Sequence, residues 1–289
     1  MSRTLVLGST GQLGSEFVRQ LRANGSAVVE ASRGDVEHPF DLARPRTVAD
    51  LIARSKPDIV LHAAAAGSVA WSEANPDAAR IMTEVAAAVA ARASAEVGAR
   101  LVFFSTDYVF DGLDAPSAEE VLPAPLNAYG HQKLEAERQV LGASSSHLVL
   151  RTCQLFGRDT RRRNFVYQVV DVLRADRRVA AAVDLFGTPT WTVDLARVTL
   201  ALVTAGRTGI WHAAGEEYLS RYEVARRAAK AFGLDEAMIT PSVAASLGDG
   251  VPRPTRAGLR NGRLHEEGGM EMTPLDTALE QVAAAEMTA

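Results

Sequence analysis

The chain is poor in several things, and each shortage excludes something. Of its 289 residues one is cysteine, Cys153, which rules out an internal disulfide and fits a reducing compartment. Lysine is scarce: of 31 basic side chains only Lys56, Lys133 and Lys230 are lysines, and the rest are arginines. Positive charge is not in excess. Against those cations stand 35 acidic residues, leaving a formal net charge of −4, so there is no electrostatic reason to bind nucleic acid or an anionic membrane. Long apolar runs are missing; the longest, about Ile59 to Trp71, is too short for a bilayer and is broken by His62 and Ser68. His38, His62, His131, His147, His212 and His265 show no metal-ligand spacing, and no metal site is expected. The opening residues MSRTLVLGSTGQ run from a strand straight into a glycine turn, leaving no room for a cleavable signal. A cytoplasmic protein is expected.

What is present is an ordinary globular composition, 47% apolar and 23% charged, in a chain long enough to bury a large core. Short apolar runs at Thr4–Leu7, Ala27–Ala31, Ile59–Leu61, Leu101–Phe104 and Leu148–Leu150 read as strands. Helical patterns lie between them: Gly14–Arg22, a stretch from Pro45 stopped by Pro57, an alanine-rich Pro76–Glu96, and Asn127–Leu141. This alternation predicts βαβ units, an α/β fold and a doubly wound parallel sheet. After about Arg151 the rhythm loosens. Helices are expected over Asn164–Leu173, Val193–Val203, Arg221–Phe232 and from Leu275, with a strand at Ile210–Ala213 and a loop from Ser246 to Gly269. Residues 1–150 are therefore read as a dinucleotide-binding domain. Residues 151–289 are read as a smaller, mainly substrate-binding α/β region, with elements returning to the first domain.

Gly8-Ser9-Thr10-Gly11-Gln12-Leu13-Gly14 is a GxxGxxG turn between the first strand and the first helix. Glycines there allow a tight turn, close approach of backbone to a pyrophosphate, and close helix–strand packing. The helix N-terminus then supplies free N–H groups to the phosphates. This is the Rossmann arrangement, with Gly8, Thr10, Gly11, Gln12, Leu13 and Gly14 as cofactor contacts. At the end of the second strand a carboxylate would suit NADH and an arginine the 2′-phosphate of NADPH. Ser32-Arg33 stands there, with Asp35 two residues on, so NADPH is expected and NADH is the alternative.

Tyr129 and Lys133 are four residues apart on a helix, which puts both on one face. With five tyrosines and three lysines, about 0.05 such YxxxK pairs would arise by chance. A neighbouring ammonium lowers a phenol's pKa and suits it to acid–base work, so this pair is expected to be catalytic. Ser105-Thr106 ends the fourth strand, where ligands of open α/β sheets bind.

With these residues in hand the chain resembles the extended short-chain dehydrogenase/reductases, and within them the dTDP-4-dehydrorhamnose reductase family. The matching segments are GSTGQLG (8–14), SEANP (72–76), STDYVFDG (105–112), YGHQK (129–133), RTCQLFG (151–157), RNFV (163–166), GTPTWTVDLA (187–196), GIWHAAGE (209–216) and RPTRAGL (253–259). The resemblance implies that Thr106 hydrogen-bonds a substrate carbonyl, Tyr129 delivers a proton, and Lys133 holds the nicotinamide ribose. It also places Asp41 and Leu42 near the adenine, Ala63, Ala64 and Ala65 along the cofactor ribose, and Asp107, Phe110, Asn164 and Arg253 toward a nucleotide sugar. The implied reaction is NAD(P)H-dependent reduction of a nucleotide-linked 4-keto-6-deoxyhexose. The implied partners are that substrate and, at most, a second copy of the chain in a homodimer. Three positions depart from the family pattern: Gln154 in the sugar-pocket wall, where tryptophan is usual; Leu185 for glutamine; and Thr83 for a relay asparagine.

Two competing readings remain. One is an epimerase or dehydratase of the same fold, although dehydratases place Asp-Glu after the threonine and this chain has Asp107-Tyr108. The other is a non-catalytic cofactor-binding subunit similar to the β subunit of methionine adenosyltransferase. Elsewhere, Arg161–Arg163 reads as a solvated face with a nucleotide diphosphate as its alternative ligand, Cys153 as a small buried hydrophobe, and Trp191 as core.

Overall fold

A computed structural model describes residues 2–34, 37–65, 68–248 and 250–287. In the first half aliphatic runs form the strands β1 (Arg3–Leu7), β2 (Ala27–Ser32), β4 (Ile59–His62), β5 (Arg100–Thr106) and β6 (Leu148–Thr152), and the two-residue β3 (His38–Pro39) lies between β2 and β4 in the chain. In the second half come β7 (Leu155–Phe156), β8 (Val179–Ala182), β9 (Phe186–Gly187), β10 (Thr190–Trp191), β11 (Gly209–His212), β12 (Leu219–Ser220) and β13 (Ile239–Ser242). One seven-stranded sheet runs β11-β6-β5-β4-β1-β2-β3, every pairing parallel. Its central strands are buried on both faces, which is why they read as unbroken apolar runs rather than alternating ones.

Helices α1 (Gln12–Ala23) and α2 (Pro45–Ser55) follow β1 and β3, and α3 (Val69–Ala74), α4 (Pro76–Arg80) and α5 (Ala86–Glu96) follow β4. Helix α6 (Ala128–Ala143) leads into β6, and then come α7 (Phe165–Arg174), α8 (Thr192–Thr204), α9 (Arg221–Ala231), α10 (Ala244–Leu247), α11 (Gly262–Glu266) and α12 (Leu275–Met287). On one face of the sheet α2, α5 and α6 pack; buried Ala86, Ala87, Ala90 and Ala91 keep α5 thin, so Leu51, Ile52 and Val140 from its neighbours reach the same core. On the other face Leu13, Phe17 and Leu21 of α1 meet Leu195, Val198 and Leu202 of α8. Each such fully buried aliphatic side chain is worth about 1.5–3 kcal/mol.

Three expectations are corrected. The alanine-rich helix over 76–96 is interrupted by a π turn at Ile81–Val85, which periodicity cannot show. The stretch from Ser246 to Gly269 is not all loop: α11 lies within it and buries Leu264 under the sheet. Three small sheets, β7 with β10, β9 with β12 and β8 with β13, escaped notice because two- to four-residue strands carry no periodicity. Strand β11 pairs with β6 at the edge of the main sheet, in the register Gly209↔Leu148 to His212↔Arg151. Among the described residues no helix is long and apolar enough to cross a membrane.

Candidate active site

The glycine turn is held by β2: the Gly8 and Ser9 amides both donate to the Ala31 carbonyl, at 2.8 and 3.0 Å. Gly8 has φ +90°, and a Cβ there would lie 2.8 Å from the Ala64 nitrogen. A Cβ on Gly14 would sit 2.0 Å from the Gly8 carbonyl oxygen. The turn thus closes on itself and on the Ala63–Ala64 segment, and no larger residue fits at either end. Gly11 is the N-cap of α1 and no side chain caps that terminus, so its first-turn N–H groups are left for an anion. The Gln12 side-chain nitrogen is buried without a partner, while Leu13 is buried and Thr10 exposed. This cradle fits the diphosphate of a dinucleotide.

At its edge Ser32 is buried and Arg33 exposed; Asp35 lies outside the described residues. Asp41 is half-buried and accepts from the Ala43 amide at 3.0 Å. The Leu42 side chain belongs to the core beside Ala31 and Phe40, so of the Asp41-Leu42 pair it is Asp41 that keeps a polar side chain outside the core. Ala63 and Ala64 are half-buried and Ala65 exposed.

Thr106, at the carboxyl end of β5, is buried; its Oγ1 accepts from the Tyr108 amide at 3.2 Å and donates to Asp107 Oδ1 at 3.1 Å. Helix α6 carries the other two groups. Asn127 caps it, its Oδ1 accepting from the Gly130 amide at 2.9 Å and its Nδ2 donating to the Pro252 carbonyl at 2.9 Å. Gly130 is needed because a Cβ there would meet the Tyr108 carbonyl oxygen at 2.2 Å; α6 packs that closely against the end of β5. One turn apart, Tyr129 and Lys133 point to that end. Lys133 Nζ donates to the Phe104 carbonyl at 2.8 Å, with Nζ 4.6 Å from the Phe103 ring centroid and 6.0 Å from that of Tyr129.

Burial pushes the ammonium of Lys133 down to about 8, with the Glu137 charge opposing. The expectation that the ammonium lowers the phenol is corrected. Tyr129 is pushed up to about 12, first by burial and then by the Asp107 charge, and only a hydrogen bond with Thr106 pulls it down. The tyrosine is thus a held proton, an acid rather than a standing phenolate.

The expected substrate-facing residues divide. Arg253 is half-buried and lies near enough to influence the Tyr108 phenol. Gln154, half-buried with φ +46°, covers Gly187, where a Cβ would come 2.1 Å from its Nε2; its Oε1 is buried without a partner. Three others are engaged in structure. Asp107 is buried and accepts from Cys153 Sγ at 2.8 Å and from the Gly258 amide at 3.1 Å as well as from Thr106, tying β5 to the C-terminal loop. Phe110 is core, edge-on to His212 and 5.0 Å beneath the Arg151 guanidinium. Asn164 caps α7: its Oδ1 accepts from the Tyr167 amide and its Nδ2 donates to the Gly157 carbonyl. A family motif marks such residues without saying whether they touch ligand or hold the frame.

Of the arginine run, Arg162 pairs with Asp171 and Glu286 over the Tyr167 ring, and Arg161 and Arg163 are exposed. One residue near the site was missed. Arg221, first residue of α9, stacks its guanidinium 4.4 Å over Phe165 and faces Tyr108, Asp107 and Cys153. The motif SRYE signals only a capped helix, and nothing in the sequence tells where that guanidinium points.

Comparison with known proteins decides the family. The RmlD substrate binding domain family matches residues 2–288. The chain belongs to the RmlD family. The RmlD chain is 32% identical over 281 residues to a dTDP-4-keto-6-deoxy-D-glucose reductase from Streptomyces niveus, covering 96% of each chain. It is also 30% identical over 292 residues to the methionine adenosyltransferase 2 subunit beta of Xenopus laevis, covering 96% of this chain and 86% of that one. The crystal structure of dTDP-4-dehydrorhamnose reductase from Bacillus anthracis in complex with NADP superposes with a TM-score of 0.91 at 26% identity, covering 98% of this chain and 99% of that one. Of the three departures from the family pattern, Gln154 packs over Gly187, and the Leu185 carbonyl accepts from the Arg221 amide at 2.9 Å. The third, Thr83, is buried within the π turn.

Proposed function

We propose that the protein is an NADPH-dependent reductase of the 4-keto group of a dTDP-linked 4-keto-6-deoxyhexose, acting in deoxysugar biosynthesis in the cytoplasm. The observation that carries this is the convergence of Thr106, Tyr129 and Lys133 on one end of the sheet that also holds the glycine cradle. Residues 1–150 hold the dinucleotide, through Gly8, Gly11, Gly14 and the open terminus of α1. Residues 151–289, with Gln154 and Arg253, hold most of the nucleotide sugar. The bound cofactor supplies a hydride.

The chain's own residues do the rest. Thr106 orients the keto oxygen by hydrogen bonding. Tyr129, protonated at neutral pH because burial holds its pKa near 12, gives its proton to that oxygen as charge develops there. Lys133, anchored on the Phe104 carbonyl, keeps a compact positive charge beside the tyrosine and the ribose. Exposed Arg33 favours the 2′-phosphate of NADPH.

The likeness to the Xenopus β subunit favours a second reading, a cofactor-binding regulatory subunit. Mixing the protein with NADPH and a panel of dTDP-4-keto sugars separates the two. Oxidation of NADPH with formation of a 6-deoxyhexose is expected. Tight NADPH binding with no oxidation by any keto sugar would favour the regulatory reading. Tyr129→Phe should lower turnover by about 10²–10⁴-fold with NADPH affinity nearly unchanged, and retained turnover would remove the proposed acid.

A further inference from the structure

Arg221 has no part in the chemistry above, yet its placement is unusual. Among the described residues no carboxylate or carbonyl lies within hydrogen-bonding or ion-pair distance of its guanidinium; its contact is the Phe165 ring, 4.4 Å away. Arg151, by contrast, is paired with Glu137, and Arg162 with Asp171 and Glu286. The backbone fixes Arg221 firmly: its amide donates to the Leu185 carbonyl, and Ser220 and Glu223 close a capping box around the helix start. Burial lowers its pKa, the mark of a cation taken from water without full compensation, and the groups it faces are Tyr108, Cys153 and Asp107. These favour its charge without outweighing the burial, and none of them is hydrogen-bonded to it. Asp107 is already bonded to Thr106, Cys153 and the Gly258 amide, and burial and the Asp107 charge raise the Tyr108 phenol so that it stays neutral.

We infer that Arg221 holds the diphosphate of the nucleotide sugar. The inference rests on the reductase reading and adds to it the residue that anchors the substrate's charged link. A stacked guanidinium keeps its N–H edge free for two parallel bonds to phosphate oxygens, geometry that an ammonium cannot match. The position is also appropriate. Asp107 and Tyr108 directly follow Thr106, so a phosphate on Arg221 lies next to the sugar whose keto oxygen would meet Thr106 and Tyr129. Arg253, from another segment, acts on the same Tyr108 phenol and adds positive charge to this region.

The test measures binding of dTDP, thymidine and NADPH to the whole protein and to Arg221→Gln and Arg221→Lys. Wild type should bind dTDP more tightly than thymidine. Arg221→Gln should weaken dTDP about 10- to 100-fold while leaving thymidine and NADPH within about twofold, and Arg221→Lys should fall between. With a keto-sugar substrate the same variants should raise KM and spare kcat. A dTDP affinity unchanged by Arg221→Gln, or an equal loss for thymidine and NADPH, overturns the inference, as does a wild type that prefers thymidine. The dTDP pattern without any keto-sugar reduction would sink the reductase reading and leave the anion site standing.

Discussion

Glu137 and Arg151 form a pair whose removal tests how the frame and the chemistry are joined. Their side chains are 2% and 3% exposed, and two hydrogen bonds of 2.9 and 2.7 Å lock them in a fork. Glu137→Gln keeps the shape and removes the charge, leaving the guanidinium buried over Phe110 with no counter-ion. Breaking one side of such a pair costs about 3–5 kcal/mol, a large share of a domain's stability. The same carboxylate lies one helical turn beyond Lys133, and its charge is what holds that lysine's pKa up against burial. Glu137→Gln should therefore also move Lys133 below its value of about 8, and the alkaline limb of turnover should shift to lower pH. Urea unfolding followed by circular dichroism reads the first effect, and a pH–rate profile the second. The double variant Glu137→Leu with Arg151→Met should recover most of the stability but not the pH shift. A loss below about 1 kcal/mol in the single variant would refute the reasoning, since it would mean that water reaches the pair.

Further consequences are checked more simply. Gly14→Ala sets a methyl 2.0 Å from the Gly8 carbonyl oxygen and should cost about 1–3 kcal/mol with at least tenfold weaker NADPH binding, measured by melting and titration. Burial and the Asp107 charge raise the Cys153 thiol well above its ordinary value, so iodoacetamide at pH 8 should label it only after unfolding; rapid labelling of the native chain would contradict the buried contact. Burial, helped by the Lys133 charge, holds His62 down to about 4 in the fold against 6.5 when unfolded. The unfolded chain then takes up the proton first, so stability is full above pH 6.5 and falls toward pH 4, by about 2 kcal/mol at pH 5 from this group. His62→Gln should flatten that slope, and an unchanged slope would assign it elsewhere.

The parts legible in the sequence are those whose chemistry forces a residue type at a spacing. The glycine turn is one, because Gly8 and Gly14 have no room for a side chain. The Tyr129–Lys133 pair is another, because four residues make one turn of α6. The main strands are legible because both faces are buried. What was not legible depends on direction. Phe110 and Asn164 carry the family pattern yet turn into the core and onto a helix cap, and Arg221 reads only as the first residue of a helix until the fold stacks it on Phe165. The phenol's pKa also escaped, since spacing places the ammonium nearby but says nothing of how much water is lost or of Asp107 below.

The pairing of β11 with β6 has a consequence for how the chain is made. When residue 152 leaves the ribosome, five strands of the sheet have their partners, but the outer edge of β6 stays open until Gly209–His212 emerges. For the time it takes to synthesise that stretch, a few seconds or roughly ten at ordinary elongation rates, an apolar strand edge is exposed to other nascent chains. A messenger that slows translation between those two points should yield more aggregate, and one that slows it after His212 should not.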